Sequence, residues 1–117
     1  MIFEICSYEN LHTALAELCR FLEENGASEH GIFHSRLAAT ELVGNVFKHA
    51  KGTARLQGTI SGDCIELSVY SSAPSMPPAA GVCSDVYSES GRGLFIVDSI
   101  CLQRITTPER ITVIIRK

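Results

Sequence analysis

The sequence of 117 residues lacks the features that define membrane, secreted and nucleic-acid-binding proteins. No stretch approaches the roughly 20 consecutive apolar residues that a helix needs to cross a bilayer. The N-terminus, MIFEICSYEN, has no basic start and carries an acidic residue at position 4, which is not typical of a signal peptide. The ten Lys and Arg residues form no run and the formal net charge is −3, which disfavours binding to nucleic-acid phosphates. We therefore expect a cytoplasmic protein with no membrane or nucleic-acid partner.

The five cysteines are odd in number, widely spaced, and form no Cys-X-X-Cys pair. This pattern favours reduced, buried thiols over the two alternatives, a zinc site or a disulfide framework. His30 and His34 are four residues apart, but no obvious third ligand accompanies them, so they do not predict a metal site.

The apolar content of 45% is enough for one domain, residues 1–117, to bury a core. Hydrophobic periodicity predicts a strand, two helices, a hairpin, a loop, a short helix and a closing hairpin. The predicted bounds are 2–7 for the first strand, 7 or 10 to 25 for the first helix and 28–50 for the second helix. The hairpin comprises 53–60 and 64–70, the loop 71–90 and the short helix 91–101. The closing hairpin comprises 101–106 and 110–116. The apolar surface of the second helix is expected to come from Ile32, Phe33, Leu37, Leu42, Val46 and Phe47.

Helices that are separated from runs of strands indicate an α+β fold. We predict a two-layer sandwich in which an antiparallel or mixed sheet carries the helices on one face. The loop at 71–90 consists mostly of Ser, Ala, Pro and Gly. A segment of that length without secondary structure is uncommon in a small domain and is often an active-site lid.

Glu41, Asn45 and His49 lie four residues apart in ELVGNVFKHA and therefore form one stripe along the second helix. Polar side chains on a largely apolar helix are costly unless something uses them. A carboxylate at position 41 can act as a general base. The amide of Asn45 offers a neutral oxygen to Mg²⁺, and His49 can orient Glu41 or contact phosphate. The alternative is an amphipathic helix whose polar stripe faces water.

A glycine turn, Ser90-Gly91-Arg92-Gly93-Leu94, precedes the third predicted helix. Gly91 and Gly93 allow the backbone to approach phosphates at the N-terminus of that helix, and Arg92 adds positive charge. The alternative is a tight turn that starts a core helix. The turn is neither a Walker loop nor a Rossmann fingerprint, because no Gly-Lys-Ser/Thr follows and no strand precedes it. With the polar stripe, it suggests a nucleotide site with a metal-bound phosphate tail.

The two motifs resemble those of the Bergerat-fold ATP-binding superfamily, which includes gyrase-type ATPases, histidine-kinase catalytic domains and anti-sigma-factor serine kinases. ELVGNVFKHA resembles its first conserved box and SGRGLFIV its second glycine box, and the resemblance covers essentially the whole chain. The resemblance implies that ATP and Mg²⁺ are cofactors. It implies roles for Glu41 as catalytic base, for Asn45 as Mg²⁺ ligand, and for Gly91, Gly93 and Leu94 as the phosphate-binding turn. His49 stands where the anti-sigma branch commonly has a histidine.

One box departs from the superfamily pattern. Where the family has Asp-X-Gly-X-Gly, with the Asp recognising the adenine amino group, this sequence has Ser71-Ser72-Ala73-Pro74-Ser75. A hydrogen bond to a charged acceptor contributes about 1.5–3 kcal/mol. Its loss therefore weakens ATP binding by roughly 10- to 100-fold. Ser71 with a bridging water recovers part of this affinity. We expect weakened or altered nucleotide affinity.

The resemblance to the anti-sigma branch implies an ATP-dependent serine kinase that acts on a small regulatory partner protein of the anti-anti-sigma type. Such a protein also binds a sigma factor or similar regulator, and a homodimer is common in this branch. The alternative is a binding module that kept the fold, lost catalysis, and sequesters a partner without using ATP. A third interpretation is a free-standing ATPase or a fragment resembling a histidine kinase.

Overall fold

The computed structural model describes residues 1–49, 53–71, 95–107 and 109–117, with only the backbone of His49. The described elements follow the predicted order of strands and helices. Their bounds are β1 Ile2–Ile5, α1 Tyr8–Glu24, α2 Glu29–His49, β2 Ala54–Ser61, β3 Cys64–Ser71, α3 95–100, β4 Gln103–Thr106 and β5 Arg110–Arg116. The candidate glycine turn and nearly all of the candidate lid lie outside the described residues. None of the described helices has the length and apolar character that would span a membrane.

The five strands form one sheet in the order β1-β2-β3-β5-β4, and every described pair of neighbours is antiparallel. The β2–β3 hairpin turns at Gly62, whose φ of 61° lies in the left-handed region. The β4–β5 hairpin joins the sheet through pairing of β3 with β5. The sheet is therefore antiparallel, one of the two forms that the sequence left open.

The helices cover one face of this sheet. Along β3, Ile65, Leu67 and Val69 are fully buried, and the residues between them face the other side because strand side chains alternate. Val113 and Ile115 continue the buried face on β5. The helices complete the core with Leu11, Leu15, Leu18 and Leu22 of α1 and with Ala38, Ala39, Leu42, Val43 and Val46 of α2. The predicted α+β fold with helices on one face is confirmed.

The first helix begins at the side-chain cap of Ser7, so the first strand ends earlier than predicted. Ser7, in extended conformation, accepts a hydrogen bond at its Oγ from the Asn10 amide at 3.2 Å. This contact satisfies one of the amides that have no partner within the helix. The predicted strand 2–7 therefore ends at Ile5. At the other end, Gly26 with φ of 81° terminates α1 as predicted.

The second helix, which carries the polar stripe, is anchored to the end of β5. The Ser28 Oγ accepts from the Gly31 amide at 3.0 Å and donates to the Lys117 carbonyl oxygen at 2.7 Å. The Ser28 amide donates to the same oxygen at 3.0 Å. Ser28 is thus the predicted N-cap, and it also fixes the start of α2 against the sheet.

We expect replacement of Gly31 by Ala to destabilise the protein, because an added Cβ would lie 2.6 Å from the Lys117 carbonyl oxygen. Such overpacking typically costs about 1–3 kcal/mol. Gly44→Ala is the matched control in the same helix, because a Cβ there would meet no atom within 4 Å. The control should be neutral or raise stability by about 0.5–1 kcal/mol. Urea unfolding of both variants measures the difference, and equal stabilities would contradict the close approach at Gly31.

Two expectations about burial are wrong. Phe33 is 62% exposed, although it was expected to contribute to the apolar surface of α2. At about 100° per residue, nine positions place it on the opposite side of the helix from Leu42. Cys6 is exposed, and Cys19, Cys64 and Cys101 are half-buried; these four are free thiols. Cys83 lies outside the described residues.

Candidate functional site

Asn45 is the most informative residue of the predicted stripe. Its side chain is 5% exposed and makes no hydrogen bond with the described residues. It lies next to Val46 on α2, which is fully buried. Among the described residues, the fully buried side-chain polar atom without a hydrogen-bond partner is Ser35 Oγ, so the Asn45 amide is not completely enclosed and a ligand can reach it. A hard, neutral oxygen that remains unused is suited to bind Mg²⁺ together with phosphate oxygens and water, so Asn45 fits the implied metal.

Glu41 lies one helical turn before Asn45 and is half-buried. Residues four apart on a helix have Cβ atoms about 5–6 Å apart, so the carboxylate and the amide share one face of α2. No described Lys, Arg or His lies within ion-pair distance of Glu41. A carboxylate that is partly shielded from water and free of a counter-ion within the described chain can accept a proton from an incoming hydroxyl.

His49 ends α2, and the structure describes only its backbone. The C-terminal end of the helix is fixed by an edge-to-face contact between the rings of Phe47 and Tyr8, whose centroids are 5.1 Å apart. Tyr8 belongs to the first turn of α1, so this contact joins the two helices beside the stripe. The role of His49 toward Glu41 or phosphate stays a prediction.

Ser71, which the sequence resemblance aligned with the adenine-binding Asp, is the last residue of β3. It pairs with Ala54, the first residue of β2, and its amide donates to the Glu109 carbonyl oxygen at 3.0 Å. Ala54 follows the end of α2 by five residues, which span at most about 18 Å. Ser71 therefore lies at the end of the sheet where α2 also ends. It helps to line a surface depression of about 230 Å³ together with Thr53, Tyr70 and Glu109.

Gly91, Arg92, Gly93 and Leu94 lie outside the described residues, but the helix that follows them is described. Val97 of α3 is fully buried in the core. Asp98 accepts two hydrogen bonds from Arg104 of β4, at 2.6 Å from Nε and 3.1 Å from Nη2. This bidentate pair holds α3 against the sheet edge. The sequence did not predict it, because its members lie on two different elements and follow no helical or strand spacing.

The sequence of the chain matches the family model of the histidine kinase-like ATPase domain over residues 6–117. The chain belongs to this family. The match confirms the superfamily to which the two motifs pointed, and it does not test the anti-sigma branch. No curated protein sequence matches the chain significantly.

Membership in the histidine kinase-like ATPase family makes the chain an ATP-binding, kinase-like domain. In this context, Asn45 and Glu41 are the side chains of α2 that the sequence predicted as oxygen ligand and proton acceptor, and they lie one turn apart on the same face. Ser71, at the end of β3, is where the sequence departs from the pattern that the resemblance implies. The contribution of each of these residues to nucleotide binding stays a prediction.

Cys101 follows α3 directly and is half-buried. Burial raises the pKa of the Cys101 thiol, and the negative charge of Asp98 raises it further. The thiolate is the reactive form of cysteine. This shift disfavours the thiolate of Cys101, so we assign the residue no chemical role.

Proposed function

We propose that this protein is a cytoplasmic, Mg²⁺-ATP-dependent serine kinase of the anti-sigma type that acts on a small regulatory protein. The observation that carries the proposal is the α2 stripe. Asn45 is buried without a described partner, and Glu41 lies one turn away on the same face. The family match supplies the ATP-binding context for these two residues.

The reaction would transfer the γ-phosphoryl group of ATP to a serine hydroxyl of the partner. A bond forms between the serine oxygen and the γ-phosphorus, and the bond from that phosphorus to the oxygen of the departing ADP breaks. Glu41 would accept the proton that the serine hydroxyl loses. Asn45 would hold Mg²⁺, which neutralises phosphate charge. Positioning and charge stabilisation supply most of the rate in such reactions.

The remaining phosphate contacts are assigned from the sequence. The amides of Gly91, Gly93 and Leu94 would bind phosphate oxygens at the start of α3, with Arg92 adding positive charge. His49 would contact phosphate or orient Glu41. The ion pair between Asp98 and Arg104 joins the helix that follows this turn to β4.

We expect Mg²⁺-ATP to stabilise the protein in a thermal-shift measurement. Ligand at about 100 times its Kd adds roughly 2.7 kcal/mol to the free energy of unfolding. Ser71→Asp should increase the shift, because it restores a charged acceptor at the end of β3. Ser61→Asp, at an exposed strand end, adds the same charge elsewhere and should leave the shift unchanged. A missing shift at millimolar ATP in all three proteins would exclude ATP as the ligand.

A second candidate function is a binding module that sequesters its partner without using ATP. Ser71 in place of the adenine-binding Asp favours this alternative. The two functions differ in the wild-type thermal shift. No shift in the wild type together with a clear shift in Ser71→Asp would identify a module whose adenine site was lost at this residue.

The partner assignment rests on the resemblance to the anti-sigma branch. It includes an anti-anti-sigma type protein as phosphate acceptor, a sigma factor or similar regulator as a second partner, and a homodimer. Sedimentation of the purified protein measures the dimer directly. Mass spectrometry of a candidate partner after incubation with Mg²⁺-ATP locates the modified serine, and modification of histidine instead would favour the third interpretation.

A further inference from the structure

The first strand forms one edge of the sheet that the described strands build. β1 pairs with β2 alone among the described strands. Met1 and Gly58 exchange both hydrogen bonds of an antiparallel pair, at 2.9 and 3.3 Å. Hydrogen-bonded and non-hydrogen-bonded pairs alternate along such a ladder. The amide and carbonyl groups of Ile2 and Glu4 therefore point away from β2, toward the open edge.

A groove lies along this edge. It has a volume of about 310 Å³ and is lined by Met1, Ile2, Phe3, Glu17, Phe21 and Glu24. Ile2 and Phe3 point to opposite faces of the strand, so a groove that both of them line must lie at the strand's edge. The α1 residues that line it are spaced by four and three positions and form one helical stripe. Ile2 is 61% exposed and leaves apolar surface in the groove open to solvent.

The walls of the groove are apolar and its rim is acidic. Phe3 and Phe21 are half-buried against the core, while Glu17 and Glu24 come from the facing stripe of α1. Arg20 approaches Glu17 only to 3.7 Å, with both side chains well exposed. Such a surface pair contributes little, so Glu17 remains available to another cation. An incoming segment with basic side chains would therefore complement the charge of the rim.

We propose that the β1 edge and this groove bind an extended, basic and apolar segment of a partner protein by strand addition. The segment's backbone would pair with the open groups of Ile2 and Glu4. Its Lys or Arg side chains at alternate positions would lie on the α1 side, where they meet Glu17 and Glu24 and cover Phe3 and Phe21 with their methylene stems. The apolar side chains between them would lie on the other side, beside the exposed Ile2. A second copy of this chain fits less well, because it would bring the same carboxylates to the rim. The inference is independent of ATP binding and goes beyond the proposed kinase function.

The test measures the fluorescence anisotropy of a labelled short peptide of alternating Lys and Val on the full chain, without nucleotide. We expect saturable binding that weakens as salt is added. A peptide of alternating Glu and Val is the matched control and should bind at least about tenfold more weakly, since like charges oppose each other at the rim. Equal binding of both peptides, or no binding of the basic peptide at millimolar protein, would overturn the proposal.

Two variants locate the binding. Ile2→Pro removes an amide that points to the open edge and leaves the β1–β2 hydrogen bonds intact. It should weaken binding of the basic peptide by about tenfold. Ile2→Ala keeps the amide and should therefore bind the peptide more tightly than Ile2→Pro does. Circular dichroism spectra and melting curves check that both variants fold. Equal affinities of the two folded variants would contradict strand addition.

The charge of the rim is tested separately on α1. Replacing Glu17 and Glu24 together by Gln should weaken binding of the basic peptide severalfold and reduce the salt dependence of that binding. The control replaces Glu9 and Glu23, which are exposed elsewhere on the same helix, and should leave binding unchanged. Equal effects of the two double variants would overturn the assignment of the rim. Sedimentation as a dimer that Ile2→Pro abolishes would assign the edge to a second copy instead.

Discussion

Replacement of Glu41 by Gln is expected to lower the rate of phosphoryl transfer to the partner serine by about 10²- to 10⁴-fold, the usual contribution of a positioned general base. Gln keeps the shape of the side chain but cannot accept the proton of the serine hydroxyl. The measurement is phosphate incorporation into a purified partner under single-turnover conditions, which separates the chemical step from product release. Nucleotide affinity should change little, because the assigned role of Glu41 lies in the transfer step.

The stability of the Glu41→Gln variant separates a catalytic effect from a structural one. Glu41 is half-buried and has no described counter-ion, so an isosteric amide should alter the free energy of unfolding by no more than about 0.5 kcal/mol. Glu29→Gln, in the exposed first turn of the same helix, is the matched control and should retain full activity. An unchanged transfer rate in Glu41→Gln would disprove the assigned base, even if the protein binds ATP.

The elements of the fold were predictable because each has a local cause. The alternation of Ile65, Leu67 and Val69 indicated a half-buried strand, and Ser28 indicated the start of α2. Both depend on residues close together in the chain. The pairing of β3 with β5 was not predictable in this way, because it joins residues that are forty or more positions apart. Parallel and antiparallel arrangements of those strands bury the same apolar side chains, so the sequence left the sheet type open.

The position of Phe33 shows a further limit of sequence patterns. A large aromatic side chain near other apolar residues suggests the core. The buried face of α2 is instead set by Ala38, Ala39 and Leu42, whose small and branched side chains allow the helix to approach the sheet. A prediction that ranks residues by the size of their apolar side chains places Phe in the core. Close packing of a helix on a sheet instead favours smaller residues at the contact.

The candidate site was predictable in its spacing but not in its environment. Four-residue spacing placed Glu41 and Asn45 on one helical face, and the structure agrees. The spacing did not reveal that Asn45 is almost completely buried while Glu41 is only half-buried. That difference depends on how α2 is rotated against the sheet, which the close approach of Gly31 to Lys117 helps to fix. Because Asn45 is buried, its replacement should change the free energy of unfolding as well as ligand binding.

Replacement of Asn45 by Leu is expected to stabilise the free protein and to abolish its response to Mg²⁺-ATP. Leu has a similar branched shape and no polar atoms, so an apolar side chain replaces an amide that makes no described hydrogen bond at a position that is only 5% exposed. The free energy of unfolding should rise by about 1 kcal/mol. Removal of an oxygen ligand should weaken Mg²⁺-dependent nucleotide binding by at least about 100-fold, since even supporting residues around a metal commonly contribute 10- to 100-fold.

Asn45→Asp is the control that keeps an oxygen ligand at the same position. It buries a carboxylate and should destabilise the free protein, yet it should retain a Mg²⁺-dependent thermal shift with ATP. Urea unfolding without ligand and thermal shift with and without Mg²⁺ measure the two effects separately. If Asn45→Leu kept the wild-type shift, Asn45 would have no role as a metal ligand. Opposite changes in stability and ligand response would instead show that Asn45 lowers the stability of the free protein and is needed for the response to Mg²⁺-ATP.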